Sequence, residues 1–428
     1  MNIKYAYSKL PLFFFWLMLV IPTAHQIERG FLLGILLIVA IIHSLGKSNW
    51  KLNYEIAFIG FITISASTFY ILLGLLNEHP AISVGTVYVL WPLLYIFFIG
   101  IYYRPENYIP FFKTLIIGCM TSSLIGIFAV LETLGFFDLG FVNFLGSGVR
   151  VDVSGKTIAY SMPNLVTVIY SFPFFTAIIL LPKKVTTLNS TWVKIAWIGF
   201  FLSILVLLFS GRRAFWVIAV LAPFIAMIFF VLCKIRFNLT TLSFFVMLAT
   251  ILIIAITFFI DVSYFWDNFI IGFNFSDPSN VDAYARKEQF IALLNGWYES
   301  PLIGSGHGAG AEEYIRSTKE PWSYELSYMS LLFHTGLIGF LIYGCAVTWL
   351  FFRSIIIIRR NTEAASMLIP LLIGFLCFLI INISNPYLEK FDYLWTLFLP
   401  LAVLNAFLLK HKKKKVSVTN KEFKVYIK

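Results

Sequence analysis

Apolar residues run along this chain in long blocks, and polar residues collect in the short gaps between them, with no period-2 alternation inside the blocks. A block of roughly 20 apolar residues matches the thickness of a hydrocarbon core. About twelve such blocks are present, near 10–26, 30–45, 56–76, 84–102, 112–131, 163–181, 194–210, 213–233, 239–260, 326–352, 365–384 and 392–410. Only helices can close this much backbone hydrogen bonding in lipid without a strand pattern. The predicted fold is therefore all-α, a polytopic integral membrane protein of about twelve transmembrane helices. It divides into nine helices over 1–260, a long extracytoplasmic loop with an amphipathic helix over 261–325, three helices over 326–410 and a basic tail over 411–428. The first block contains Pro11 and Pro22 and lacks a small-residue cleavage pattern, so it is expected to stay as an anchor.

Composition narrows the class further. With 60% hydrophobic, 18% aromatic and only 12% charged residues, and a mean hydropathy of +0.87, the chain can be neither disordered nor a cytosolic enzyme. Its four cysteines (Cys119, Cys233, Cys345, Cys377) fall inside apolar blocks without metal-site spacing, which reads as core filling. Charge sets the orientation, because Lys and Arg are retained on the cytoplasmic side. With the Lys-rich tail from Lys410 inside, twelve spans put both termini in the cytoplasm. Most of the 32 basic residues then fall on the inner side, as in the loops holding Lys47 and Lys51, Lys183 and Lys184, or Arg359 and Arg360, and most of the 21 acidic residues fall outside. The net charge of +11 is thus a topology signal and no nucleic-acid footprint.

Candidate chemistry lies on the outer side. Ser210-Gly211-Arg212-Arg213-Ala214 forms a tight hairpin whose arginines stand against the positive-inside bias and open a helix. Guanidinium forks at a helix amino terminus suit a phosphate or diphosphate; snorkelling to headgroups or pairing with outer acids such as Glu132 is the alternative. In the long loop, Asp277-Pro278-Ser279-Asn280 reads as a helix start. The helix from Val281 to Tyr298 has an apolar stripe of Tyr284, Ile291, Leu294 and Tyr298, expected against the bundle or in the interface. Arg286 lies at the stripe's edge, aimed at the membrane boundary or paired with Asp282 one turn before it. Gly304-Ser305-Gly306-His307-Gly308-Ala309-Gly310 lacks the context of a nucleotide loop and is either an anion nest or a turn joining two helices, with His307 a candidate base. Glu325 stands at the mouth of the tenth span, where burial and nearby arginines would tune a general base, or where it complements the helix dipole. The other outer insertion, from Glu132 to Asn164, is expected to be irregular because Gly146, Gly148 and Gly155 interrupt it.

The order and spacing of these residues resemble the O-antigen ligase and polymerase superfamily of bacterial membrane glycosyltransferases. The resemblance runs over about 195–345. It rests on Gly211-Arg212-Arg213-Ala214-Phe215-Trp216, on Arg286 followed by Pro301-Leu302-Ile303-Gly304-Ser305-Gly306, and on Thr335-Gly336-Leu337-Ile338-Gly339. Ligases of the family place a histidine eleven residues before the position of Gly336, and this chain has Glu325-Leu326 there, which directs the resemblance to the polymerase branch.

The resemblance implies an enzyme that joins undecaprenyl-diphosphate-linked oligosaccharide repeat units of O-antigen, capsule or exopolysaccharide at the outer face of the cytoplasmic membrane. On that reading Arg212, Arg213 and Arg286 bind the diphosphate, Glu325 deprotonates or orients the attacking hydroxyl, and Arg286 and Arg212 stabilise the leaving group. No cofactor and no metal are expected, since the outer acids form no Asp-x-Asp pair. Expected partners are lipid-linked glycans, the bilayer, and a chain-length regulator and flippase of the same pathway. A ligase or protein O-oligosaccharyltransferase is the alternative within the class. A polysaccharide-intermediate transporter is the alternative outside it, disfavoured because the spans are almost free of ionisable groups.

Overall fold

A computed structural model describes residues 3–45, 50–102, 108–140, 142, 150–154, 157–162, 164–210, 213–236, 243 and 281–425. The described helices are α1 (Ile3–Val20), α2 (Gln26–Leu45), α3 (Tyr54–Leu76), α4 (Trp91–Tyr102), α5 (Tyr108–Thr133), α6 (Leu165–Leu180), α7 (Ser190–Phe209), α8 (Arg213–Leu232), α9 (Val281–Glu299), α10 (Ser327–Ile358), α11 (Thr362–Ile381) and α12 (Trp395–Val425). A 3-10 turn and a π turn lead into α4, so that the apolar segment runs from Ala81 to Tyr102. Eight segments among the described residues are long and apolar enough to cross a membrane, and α1 and α6 hold shorter apolar stretches. The protein is an all-α polytopic membrane protein. Eleven of the twelve apolar blocks coincide with helical segments; the block at 239–260, apart from residue 243, lies outside the described residues.

The insertion after α5 departs from expectation. It holds an antiparallel hairpin of β1 (Arg150–Ser154) and β2 (Thr157–Ser161), in which Arg150 pairs with Ser161 and Ser154 with Thr157. The β-branched positions Val151, Val153, Thr157 and Ile158 favour strands on both sides of Gly155.

The core centres on α6, buried along its whole length, with α11 beside it and α5, α7, α8 and α12 around them. Helix α6 carries no charge, and its hydroxyls are all satisfied: Thr167 donates to the carbonyl of Leu19 at 2.7 Å and Ser171 to that of Val168 at 2.7 Å. The Tyr170 hydroxyl crosses to the Leu371 carbonyl of α11 at 2.9 Å.

Polar contacts tie the helix ends together in two layers. In one layer Arg353 pairs with Glu55, Lys410 with Glu363, and Arg359 donates to the Leu232 carbonyl at 2.6 Å. Helices α8 and α10 therefore finish at the same end and run from the opposite one. That other layer holds a buried ion pair between Arg29 of α2 and Asp392 before α12, with Arg29 also donating to the Ile21 carbonyl left free as α1 ends.

Helix α10 has 32 residues, about 48 Å at 1.5 Å per residue, against a hydrocarbon core of about 30 Å. It is broken at Gly336 (φ 58°, ψ −170°). The break frees carbonyls above it and amides below it, and the segment from Pro301 to Gly306 takes up both sets. Ser305 and Gly306 N–H donate to the carbonyls of Phe333 (3.0 Å) and His334 (2.9 Å); Leu337 and Ile338 N–H donate to those of Pro301 (2.9 Å) and Leu302 (3.1 Å). The strap continues to α3, where His307 N–H donates to the Tyr70 carbonyl at 2.9 Å. The two glycines at the junction fit each other: a Cβ on Gly336 would stand 2.4 Å from Leu302 backbone atoms, and one on Gly304 2.4 Å from the Gly336 nitrogen.

Gly304→Ala and Gly336→Ala should each lower the thermal stability of the detergent-solubilised protein by an amount equivalent to about 3 kcal/mol, through both clash and positive φ. Gly34→Ala, placed in open space on α2, should leave the melting temperature unchanged or raise it slightly.

Candidate active site at the start of helix α10

Helix α9 docks through small residues. Ala283, Gln289, Ala292 and Leu293 are buried, and a small satellite core joins Ala292 and Leu293 to Ala309, Ala311, Tyr324 and Phe333. The predicted stripe faces away from this contact: Tyr284 and Leu294 are half-buried, Ile291 and Tyr298 exposed. Small side chains let α9 approach α10 closely, and the larger apolar ones are left at the surface, where a membrane boundary can accept them.

Arg286 and Gln289, three residues apart on α9, share a side and meet the segment that leads into α10. Gln289 accepts a hydrogen bond from the Glu325 amide at 2.9 Å, and the Arg286 Nε donates to Glu325 Oε2 at 2.9 Å. Arg316, from the loop between the strap and α10, donates through Nη2 to Glu325 Oε1 at 2.9 Å. Tyr324 anchors this arrangement from below: its hydroxyl accepts from the Ala311 amide at 2.6 Å and donates to the Tyr314 carbonyl at 3.2 Å. Each guanidinium spends one nitrogen on the carboxylate. The rest of each five-donor fork remains to receive an anion, and the carboxylate keeps two like charges side by side. Arg286 is 31% and Arg316 40% exposed, so an anion arriving from outside can reach both.

The structure brings the candidates Arg286 and Glu325 into contact, with Arg316 as a third member. Arg212 lies outside the described residues. Arg213 opens α8 in its backbone, at the same end as Ser327 of α10, and its side chain lies outside the described residues, as does that of Asp282. The glycine segment is the strap described above: with the amides of Ser305, Gly306 and His307 given to helix carbonyls, no anion nest remains among them. His307 is buried, its ring 4.3 Å from that of Tyr88, and burial together with nearby His334 pushes its pKa well below the usual histidine range. It is packing and not an accessible base. His334 is buried too, with its Nε2 at 2.9 Å from the Ala309 carbonyl. Glu132 accepts from the amides of Leu139 (3.1 Å) and Val142 (3.0 Å) and so closes the turn after α5.

Two residues escaped the sequence reading. Arg316 sits in an acidic stretch beside Glu312 and Glu313, where nothing in the local pattern separates it from surface charge. Glu389 belongs to the short loop between α11 and α12. It is half-buried, and protein packed around its carboxyl raises the pKa to about 8 against the opposing pull of a Ser330 hydrogen bond, Lys390 and Arg316. The one available signal was positional, an acid in a short loop at the end where the other candidates gather.

The O-antigen ligase family model matches residues 198–344, about a third of the chain. The match supports a relationship of this segment to the O-antigen ligase/polymerase superfamily. It takes in most of α7, all of α8 and α9, the strap, the broken start of α10, and Arg286, Arg316 and Glu325. Members of the O-antigen ligase family are membrane enzymes acting on lipid-linked glycans, and Glu389 lies beyond the matched segment. A comparison with curated proteins finds no match.

A double-mutant cycle on Arg286→Ala and Glu325→Ala, read as thermal stability in detergent, should give a coupling of about 1 kcal/mol that shrinks with added salt. Zero coupling would mean that this contact does not hold Arg286 in place.

Proposed function

We propose that this protein is a membrane glycosyltransferase that polymerises undecaprenyl-diphosphate-linked oligosaccharide repeat units on the outer face of the cytoplasmic membrane, both its termini being cytoplasmic. The observation that carries the reading is the convergence of Arg286 and Arg316 on Glu325, half-exposed at the start of α10 and at the end where α8 opens with Arg213. A lipid-linked diphosphate presents its charge at that boundary. Arg286 and Arg316, joined by Arg212 and Arg213 from the α7–α8 turn, would bind it and offset the charge that develops as the anomeric bond breaks. Glu325 holds the guanidiniums in register and orients the reacting groups, which shortens the search for a productive geometry. The chemistry asks for no nucleotide. The lipid bilayer and the flippase and chain-length regulator of the same pathway are the partners this reading brings.

A second reading, transfer of the finished glycan to a separate acceptor, is favoured by the description of the matching family as O-antigen ligase. The two differ in what a single substrate can yield. Purified protein in liposomes, supplied with a lipid-diphosphate-linked repeat unit alone, should give a ladder of products; a ligase would give none until an acceptor lipid or protein is added. Arg286→Ala should cut the rate about 100-fold or more, and wild-type rate in that variant would remove the diphosphate role.

A further inference from the structure

Two carboxylates face the start of α10, and they are held differently. Glu325 has a guanidinium on each oxygen. Glu389 has no ion-pair partner within 4.0 Å among the described residues, although it stands close enough to Arg316 and Lys390 to feel their charge. Its hydrogen-bond partner is the hydroxyl of Ser330, one turn into α10.

The loop that carries Glu389 is fixed at several points. The Leu388 amide donates to Asn382 Oδ1 at 2.8 Å, and Asn382 is fully buried at the end of α11. Ser327 Oγ donates to the Asn385 carbonyl at 2.9 Å, and the Tyr328 hydroxyl to the Leu379 carbonyl at 2.7 Å, so the loop and the first turn of α10 form one unit. A carboxyl kept half-buried without an ion-pair partner on a fixed loop is unfavourable for stability, and groups held in this way cluster at functional sites.

We propose that Glu389 is the catalytic residue that accepts the proton of the attacking sugar hydroxyl, at a site where Arg286 and Arg316, held by Glu325, carry the lipid diphosphate. This deepens the glycosyltransferase reading and rests on it. The hydroxyl oxygen of the incoming unit forms a bond to the anomeric carbon of the donor as the bond from that carbon to the diphosphate oxygen breaks. The electron pair leaves with the lipid diphosphate, whose charge the arginines meet, and the proton passes to a carboxylate oxygen of Glu389.

The surroundings suit the protonated product of that step. His334 Nε2 faces the Ala309 carbonyl, which can only accept, so Nε2 carries the proton and Nδ1 is an acceptor. Nδ1 lies 3.4 Å from Ser330 Oγ. Once protonated, Glu389 donates to Ser330 Oγ, and the Ser330 hydroxyl turns to His334. In the ionised state the same hydroxyl donates to Glu389. Ser330 thus serves both states without moving its backbone. The charged and titratable groups facing Glu389 are Arg316 from the preceding loop, Lys390 beside it, Tyr88 from the turn before α4, and His334 behind Ser330.

The test is steady-state kinetics in liposomes on a lipid-diphosphate-linked repeat unit, across pH 5.5 to 9.5, for wild type, Glu389→Gln, Glu389→Asp and Glu325→Gln. The proposal expects wild-type kcat to rise with pH and level off near the pKa of about 8. Glu389→Gln should lose about 100-fold or more in kcat with KM little changed, Glu389→Asp should recover part of it, and Glu325→Gln should act chiefly on KM. Stability separates chemistry from folding. A carboxyl raised in the folded state loses stability as pH climbs from its unfolded value toward about 8, so Glu389→Gln should melt no lower than wild type at pH 8. An active wild type with a flat pH profile, or with Glu389→Gln within about threefold of its kcat, overturns the assignment of Glu389 alone. A wild type that makes no product from any lipid-diphosphate glycan, with or without acceptor, overturns the glycosyltransferase reading, and this proposal with it.

Discussion

Backbone amides and carbonyls stranded in an apolar environment cost several kcal/mol each, and the break in α10 creates both kinds at one place. The strap from Pro301 to Gly306 answers them with four hydrogen bonds, two to either side of Gly336. Everything at the candidate site depends on that repair. It sets where the upper part of α10 points, and so where Glu325, Ser330 and His334 stand. It also brings α9, joined to the strap through Pro301, against Phe333, and with it Arg286. The paired segments Pro-Leu-Ile-Gly-Ser-Gly and Thr-Gly-Leu-Ile-Gly are two halves of a single backbone joint, not two separate recognition motifs.

Electrostatics then sorts the charges at this end of the bundle by how each is compensated. Arg29 and Asp392 are buried and paired, and they tie α2 to the start of α12 where breaking either partner would leave an isolated charge. Arg286, Arg316 and Glu325 are half-exposed and mutually compensated, with one positive charge in excess to offer an anion. Glu389 is compensated least, and its raised pKa expresses that. Three arrangements of the same few residue types thus give a buried tether, a half-exposed cluster with a spare positive charge, and a carboxyl without an ion-pair partner.

Hydropathy made the membrane plan legible, because the length of an apolar block reports directly on the thickness it must cross. The Arg286 and Glu325 pairing was legible as two candidates and not as a contact, since 39 residues separate them and the geometry comes from Gln289 and Tyr324, residues with no motif of their own. The apolar stripe of α9 left bundle and interface both open, because large apolar side chains suit either, and it lies away from the bundle contact. In a helix that docks closely, Ala283, Ala292 and Gly296 mark the contact instead. Glycines 304, 306 and 308 read as a turn, whereas their positive φ values serve a strap packed against three other segments. Strand propensity on either side of Gly155 was outweighed in the reading by the glycines of this segment.

The strap also fixes an order of assembly. Helix α3 is synthesised more than two hundred residues before His307, yet it is the His307 amide that meets the Tyr70 carbonyl, and Asn77 holds the Ser305 carbonyl at 3.1 Å. The end of α3 is capped by Asn77, Glu78 and His79, which follow it directly, and it gains the two strap contacts only once the chain has reached His307. The lower part of α10 has to be threaded next before Leu337 and Ile338 can find Pro301 and Leu302. The joint therefore needs the chain from Pro301 through Ile338, and a chain truncated between Arg316 and Gly336 carries Arg286 and Arg316 without the contact that aligns them.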